Sequence, residues 1–493
     1  MKDVATISIG LVSHTNAGKT TLARTLLRRD IGEVSDRAHV TEVAERHVLI
    51  ASPEGDTLAL WDTPGFGDSM RLYSRLSQSD NPIGWALGQV WDRFTDRPFW
   101  SGQQALRSAR DHCDVVLYVI NATESPEEAR YIGVELKILE WIGKPVVLLL
   151  NQTGPARSEA RTEADVALWR AHLAAHRCIR GVLSLDAFAR CWVQEDTLLT
   201  QVQAVLPAKL LAAGERLRWA WQKRNYEVFE QSMRVLASQL SLAACDEAAI
   251  AEPDVQQRIR GWVSSVTTGA DRGAAELQPA QQLLAKRLEE SNRAAIDALI
   301  KLHGLSGRAA EEPLQALAHE LAVERPADEH KASLLGAVLS GAAGGIAADL
   351  AAGGLTFGAG ALIGGVLGAL GARGITQVYN FARGRESGRV RWSPEFMTRR
   401  VAAGLLGYLA VAHFGRGRGE FVRAAIPDHW QQALQAMASH RETLEAAFRE
   451  ARPETLERTE QQLLRVITAL TREVLIALYP GPAAATLRAP HGR

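Results

Sequence analysis

Lys19 and Thr20 stand side by side behind Gly18, in the run Ser13-His14-Thr15-Asn16-Ala17-Gly18-Lys19-Thr20-Thr21. A β-rich stretch, 6–12, precedes the run, and a helical pattern, 19–27, follows from it. A polyphosphate needs backbone N–H donors, a cation and a close approach of the main chain. The glycine-bearing loop exposes N–H groups, and the helix N-terminus adds its dipole. Lys19 then reaches the β- and γ-phosphates, and the Thr20 hydroxyl serves Mg²⁺. His14, Thr15, Asn16, Ala17, Gly18, Lys19, Thr20 and Thr21 are the expected nucleotide-binding residues. Ser13 stands where this loop usually carries its first glycine, and a small residue there still allows the turn.

A second signal, Trp61-Asp62-Thr63-Pro64-Gly65, lies 43 residues beyond Lys19 at the end of another β-rich run. A carboxylate at the C-terminal end of a strand can hold Mg²⁺ through water, and the following glycine can donate its N–H to a γ-phosphate. The two signals occur in the order that nucleoside-triphosphate chemistry requires.

These loops need strands and helices to hold them. Residues 6–12, 57–61, 115–120, 146–150 and 181–185 read as strands, alternating with helical stretches. That alternation implies βαβ units and a mostly parallel sheet, so the fold class expected for 1–200 is α/β. After about residue 205 the strand signal disappears. Helical spacing dominates over 205–245, 273–303, 312–325 and 429–475, with breaks expected at Pro253, the 269–273 stretch, Pro326, Pro394 and Pro427. The expected organisation is a nucleotide-binding domain over 1–200, a helical domain over 201–481 and a loose tail over 482–493.

The loop with Asn16 two places before Gly18, together with Asp62-Thr63-Pro64-Gly65, resembles the Era-like branch of the P-loop GTPases. The whole arrangement is similar to a bacterial group of such GTPases with a C-terminal domain of unknown function. The resemblance implies GTP as substrate, GDP and phosphate as products, Mg²⁺ as cofactor and a molecular switch. It implies Lys19, Thr41 and Gly65 as the residues acting on the γ-phosphate, and Thr20, Thr41 and Asp62 as the Mg²⁺ set. Thr41 falls between the first helix and the second strand, where the first switch threonine belongs. Asn16 occupies the place where related GTPases bind an activating K⁺, and capping of the loop is its alternative role. Phe66 stands where Ras-like GTPases carry a water-orienting glutamine, so the intrinsic hydrolysis rate is expected to be slow, or completed by another group or a partner, with His14 and Asp68 as candidate helpers.

The base-recognition motif departs from the family pattern. Asn151 matches, but Gln152 replaces lysine and Gly154 replaces the aspartate that pairs with guanine. Asn151, Gln152 and, on the next strand, Ser184 are the expected base-side residues. A plain strand-to-loop turn is the alternative reading of Asn151. From Asp62 to Val115 is a step of 53 residues, which takes in Trp85, Trp91, Phe94, Phe99 and Trp100. This second-switch insertion could bind a protein partner or a second copy of the chain, or pack on its own core; the packing reading is favoured.

Residues 334–372 contain twelve glycines and one charge, Asp349. Their spacing suits a hairpin of two apolar arms, each roughly 22 to 27 Å long at 1.5 Å per residue, slightly short of a bilayer core. Small residues four apart allow close helix packing. Membrane association and burial within the helical domain are the two readings. No secretory signal opens the chain, and the four scattered cysteines fit a reducing cytosol. The expected location is cytoplasmic, peripheral or integral at the inner face of the membrane if 334–372 inserts. Lys plus Arg and Asp plus Glu both number 56, which argues against bulk nucleic-acid binding. The rival functions are a membrane effector regulated by nucleotide, an Era-like RNA or ribosome assembly factor, and a protein that holds nucleotide without hydrolysing it.

Overall fold

A computed structural model describes residues 4–28, 31, 44–88, 96–152, 159–185, 191–249, 272–304, 375–378, 389–413, 430, 434–479 and 487. The chain forms two compact units. The first comprises Met1–Val228, Ala412–Pro427 and Leu478–Arg493; the second comprises Phe229–Val411 and Asp428–Ala477.

The first unit is built on six strands: β1 (Thr6–Val12), β2 (Glu45–Ala51), β3 (Thr57–Asp62), β4 (Val115–Asn121), β5 (Val146–Asn151) and β6 (Ile179–Ser184). Their order is β2-β3-β1-β4-β5-β6. β2 runs antiparallel to β3, and every other neighbour pair is parallel. The two-residue period of the strands sorts their side chains into two cores. Ile7, Ile9, Leu11, Leu117, Val119 and Leu149 join one, whereas Val12, Val116, Tyr118, Ile120, Leu148 and Leu150 join the other. Both faces are covered, which is why the central strands read as near-continuous apolar runs. Each such aliphatic side chain contributes about 1.5–3 kcal/mol of transfer free energy. β2 escaped the strand reading because it lies on the edge and opens Glu-Arg-His, leaving little apolar alternation.

Helices close both faces. On the first lie α1 (Lys19–Leu27) and α7 (Trp192–Ala204), with the first half of α8 (Leu211–Cys245). On the second lie α2 (Ser69–Leu76), α3 (Pro82–Gly88), α4 (Arg97–His112), α5 (Arg130–Ile142) and α6 (Glu159–His172). Asp68 caps α2 by accepting the Arg71 N–H at 3.0 Å. α5 ends on Gly143, whose φ of 73° suits the left-handed cap. Fork-shaped pairs hold α8: Arg216 donates to Asp56 at 2.6 and 3.0 Å, and Arg218 to Asp196 at 3.0 and 2.9 Å. Trp221 is buried in the same core. The second-switch insertion folds as α2 to α4. Phe99 lies in the core and Trp85 packs against it, which favours the packing reading for these two rings; Trp91 and Phe94 lie outside the described residues.

The second unit takes the rest of α8, with α9 (Arg272–Leu302), α10 (Pro394–Ala412), α11 (Met437–Glu450) and α12 (Leu456–Leu478). Two expectations fail here. The strand signal does not end at residue 205: β7 (Ala248–Ala249), β8 (Ile375–Val378) and β9 (Arg389–Trp392) form an antiparallel sheet in the order β7-β9-β8. These strands have two to four residues, too few to display a period, although Val390 and Trp392 are buried as alternation demands. Pro394 opens a helix rather than breaking one, because the first helical position needs no N–H. Residues 429–475 hold two long helices separated at Pro453, which starts a 3₁₀ turn. The expected helix over 312–325 and the segment 334–372 lie outside the described residues. Among the described residues no helix is long and apolar enough to cross a membrane.

Candidate nucleotide site

Parallel pairing places the ends of β1, β3, β5 and β6 at one edge of the sheet. Register sets Leu11 beside Asp62 and Leu150 beside Ser184. The loop after β1 turns into α1 through two left-handed residues, Asn16 (φ 65°) and Gly18 (φ 83°). Asn151 is fully buried and donates from Nδ2 to the Ala17 carbonyl at 2.9 Å. It therefore ties the end of β5 to the loop after β1. A Cβ on Gly18 would lie 2.6 Å from Asn151 Nδ2. Gln152, at φ 56°, brings its side-chain nitrogen to the same place. Ser184 closes β6 beside them. Thr153 and Gly154 lie outside the described residues, as does Thr41.

Lys19 is buried and donates from Nζ to Ser13 Oγ at 2.9 Å. The serine that replaces the usual glycine is thus a partner of Lys19. Burial pulls the Lys19 pKa below the ordinary lysine range, and Asp62 and Glu135 oppose the shift. Thr20 donates its hydroxyl to Asp62 Oδ2 at 2.7 Å. Thr21, next on α1, is buried.

Asp62 is the most perturbed carboxylate of this edge. Burial pushes its pKa up to about 6, against the hydrogen bond from Thr20 and the charge of Lys19. Its second oxygen, Oδ1, is buried with no hydrogen-bond partner among the described residues. A hard oxygen pair, one atom of it unsatisfied, suits Mg²⁺, which favours carboxylate, hydroxyl and water oxygens. Thr20 and Asp62 are the described residues that would hold the ion.

The turn after β3 is latched onto the phosphate loop. The Phe66 N–H donates to the Ser13 carbonyl at 2.9 Å, and Thr15 Oγ1 donates to the Phe66 carbonyl at 2.8 Å. Ser101 donates to the Gly65 carbonyl at 2.7 Å, and Thr63 Oγ1 to the Leu11 carbonyl at 2.5 Å. A Cβ on Gly65 would meet Lys19 Nζ and the Thr15 backbone at 3.1 Å, so this glycine lets the turn approach the lysine.

His14 turns its ring toward α5. Nδ1 lies 2.7 Å from Glu135 Oε1, and the ring stacks on Tyr131 with centroids 4.3 Å apart. Glu135 is fully buried and accepts the Tyr118 hydroxyl on Oε2 at 2.7 Å. Sequence reading missed Glu135 and Tyr118. The signal available was an acid set between two apolar residues of α5, in Val-Glu-Leu.

Residues 170–473 match the family described as a domain of unknown function (DUF3482). The chain belongs to this family. Residues 8–152 match the family described as 50S ribosome-binding GTPase. The DUF3482 chain is therefore a GTP-binding protein with an N-terminal P-loop GTPase domain, as its loop and Asp62–Gly65 motifs imply. Similar solved structures include an Era variant of Aquifex aeolicus bound to GDP and aluminium fluoride, 16% identical, covering 59% of this chain and 90% of that one, TM-score 0.30. Another is Era with MgGDPNP and a segment of 16S ribosomal RNA, 16% identical, covering 61% and 90%, TM-score 0.30. A bacterial selenocysteine-specific elongation factor is 13% identical, with 40% and 28% covered and a TM-score of 0.25. No curated protein matches the chain.

Proposed function

We propose that the chain hydrolyses GTP to GDP and phosphate with Mg²⁺ and uses the reaction as a molecular switch. The observation that carries this reading is the convergence of Lys19, the Thr20–Asp62 pair and the Gly65 turn at one sheet edge. Lys19 binds the β- and γ-phosphate oxygens, and the Gly65 N–H meets the γ-phosphate. Mg²⁺ held at Thr20 and Asp62 supplies neutralisation of the charge that develops on the phosphates. Thr41 is assigned as the first-switch ligand on the family resemblance alone. Loss of the γ-phosphate removes what Gly65 binds and frees the turn that Thr15 and Ser101 latch. Asn16, in its left-handed conformation, is the residue assigned to K⁺.

The test is turnover of the purified full chain with GTP and ATP side by side, in K⁺ and in Na⁺, beside Lys19→Ala. GTP-selective turnover that disappears in the variant supports the reading, and faster turnover in K⁺ supports the assignment of Asn16. Equal use of ATP refutes guanine selectivity, and absence of turnover refutes hydrolysis.

We assign the output of the switch to 334–372 on its composition, twelve glycines with one charge, and place the protein in the cytoplasm at the inner membrane face. Flotation with anionic vesicles, compared between GDP and a non-hydrolysable GTP analogue, tests this; no flotation in either state refutes it.

A further inference from the structure

Phe66 is fully buried in the core beneath the Gly65 turn, and an apolar ring cannot polarise water. The Phe66 ring therefore cannot prepare the water that hydrolysis needs, and one oxygen of Asp68 is engaged at the helix cap.

The phosphate loop itself carries a group that can. Burial, then the charge and hydrogen bond of Glu135, hold the Tyr118 pKa well above the ordinary phenol value, so its hydroxyl stays the donor to Glu135 Oε2. One oxygen of the Glu135 carboxyl accepts the Tyr118 hydroxyl, and the other lies 2.7 Å from His14 Nδ1. With Nδ1 turned to the carboxyl, Nε2 is the ring nitrogen left to meet a ligand or water. Tyr131 lies against the ring at 4.3 Å, and its own hydroxyl donates to Glu124 at 3.0 Å. Glu135 is fully buried, whereas the His14 side chain is 32% exposed. The chain of hydrogen bonds thus starts in the core and ends on a partly exposed side chain.

Its place is also defined. His14 and Phe66 form a parallel bridge, so the imidazole belongs to the residue that abuts the γ-phosphate-sensing turn. Glu135 is near enough to Lys19 to raise its pKa. A buried acid–imidazole pair contributes little to stability, since desolvation offsets its attraction, and an apolar pair of the same volume would pack at lower cost. The arrangement is the one expected of a base whose ring is oriented from behind.

We propose that His14 is the catalytic residue that handles the attacking water, with Glu135 and Tyr118 as positioning residues. The inference rests on the hydrolytic reading above. The water oxygen forms a bond to the γ-phosphorus while the bond from phosphorus to the β–γ bridging oxygen breaks. GDP leaves with that electron pair, and the proton of the water passes to His14 Nε2. The imidazolium, held by Glu135, then returns the proton to solvent.

The experiment is single-turnover hydrolysis at saturating protein, with affinity for a fluorescent GDP analogue measured in parallel. It uses the full chain and its variants His14→Ala, His14→Gln and Glu135→Gln. His14→Ala is expected to lower the rate roughly 10²- to 10³-fold, in the range of general-base catalysis, with nucleotide affinity within about threefold of wild type. His14→Gln, which orients water without taking its proton, falls less. Glu135→Gln lowers the rate about tenfold at unchanged affinity. If the alanine variant no longer binds nucleotide, His14→Gln decides. A rate within about threefold of wild type overturns the proposal, and so does a rate that falls only in step with affinity. Wild-type chain that binds GTP without turnover would instead refute the hydrolytic reading, and the role of His14 with it.

Discussion

Adding one methyl group at Gly18 tests how the phosphate loop is held. The φ of 83° there costs an L-residue about 1–2 kcal/mol. The new Cβ would stand 2.6 Å from Asn151 Nδ2 and 3.2 Å from Gln152 Nε2, so Asn151 must leave the Ala17 carbonyl. That hydrogen bond contributes about 1 kcal/mol net. The two effects sum to about 2–3 kcal/mol against the cradle. A loop at the sheet edge relaxes more readily than the sheet unfolds, so the cost falls mainly on the ligand, which must restore the cradle as it binds. Gly18→Ala is therefore expected to bind nucleotide roughly 30- to 150-fold more weakly, at tenfold per 1.4 kcal/mol. Titration of a fluorescent GDP analogue reads the loss, and a thermal melt reads whatever part stays in the empty protein. If affinity and melting temperature both match wild type, Asn151 and the left-handed Gly18 do not hold this loop.

Other expectations follow from neighbouring contacts. Asn151→Ala leaves the Ala17 carbonyl unpaired, at about 1–3 kcal/mol, and should weaken nucleotide binding by roughly ten- to a hundredfold in the same titration. Phe66→Ala empties a fully buried site and should destabilise the GTPase unit by about 3–5 kcal/mol in denaturant melts; a loss under about 1 kcal/mol would mean that the turn is not anchored by this ring. Asp62→Asn keeps the shape and removes the charge, so half-maximal turnover should require at least about tenfold more Mg²⁺. Arg216, with the Ala5 N–H and Ser52, holds the Asp56 carboxyl well below the usual carboxylate range. A depressed folded-state pKa stabilises above the unfolded value of about 3.9 and loses that contribution as pH falls through the folded one. The stability gap between wild type and Asp56→Asn should therefore be full at neutral pH and shrink below about pH 4; a gap constant with pH would refute the pairing.

The site was legible where chemistry is local in sequence. Ser13 to Thr21 is one continuous run, and Asp62 to Gly65 another, so their residue types and order reveal a phosphate loop before any folding is considered. The central strands were legible because both faces are buried. What escaped depends on pairing across distance. Glu135 meets His14 over 121 residues, and in α5 it resembles an ordinary exposed acid until the fold buries it. Asn151 was recognised as a base-side residue, yet its bond to Ala17 spans 134 residues and has no signature in composition. β2 and the short strands β7 to β9 lack the length or the polarity contrast that a period needs, and their partners supply the order instead.

Helix α8 has a consequence for how this GTPase unit can be cut, moved or inherited. Ala213, Leu217 and Trp221 lie in the same core as Ile7, Leu58 and Leu60, and Arg216 and Arg218 bolt the helix to Asp56 and Asp196. A fragment ending at residue 200 would lose the α8 side chains from one core of its sheet and leave two buried aspartates without their cations. The leading segment of this unit therefore ends part-way along a helix, at Val228, and a boundary drawn between domains by sequence alone would cut it too early.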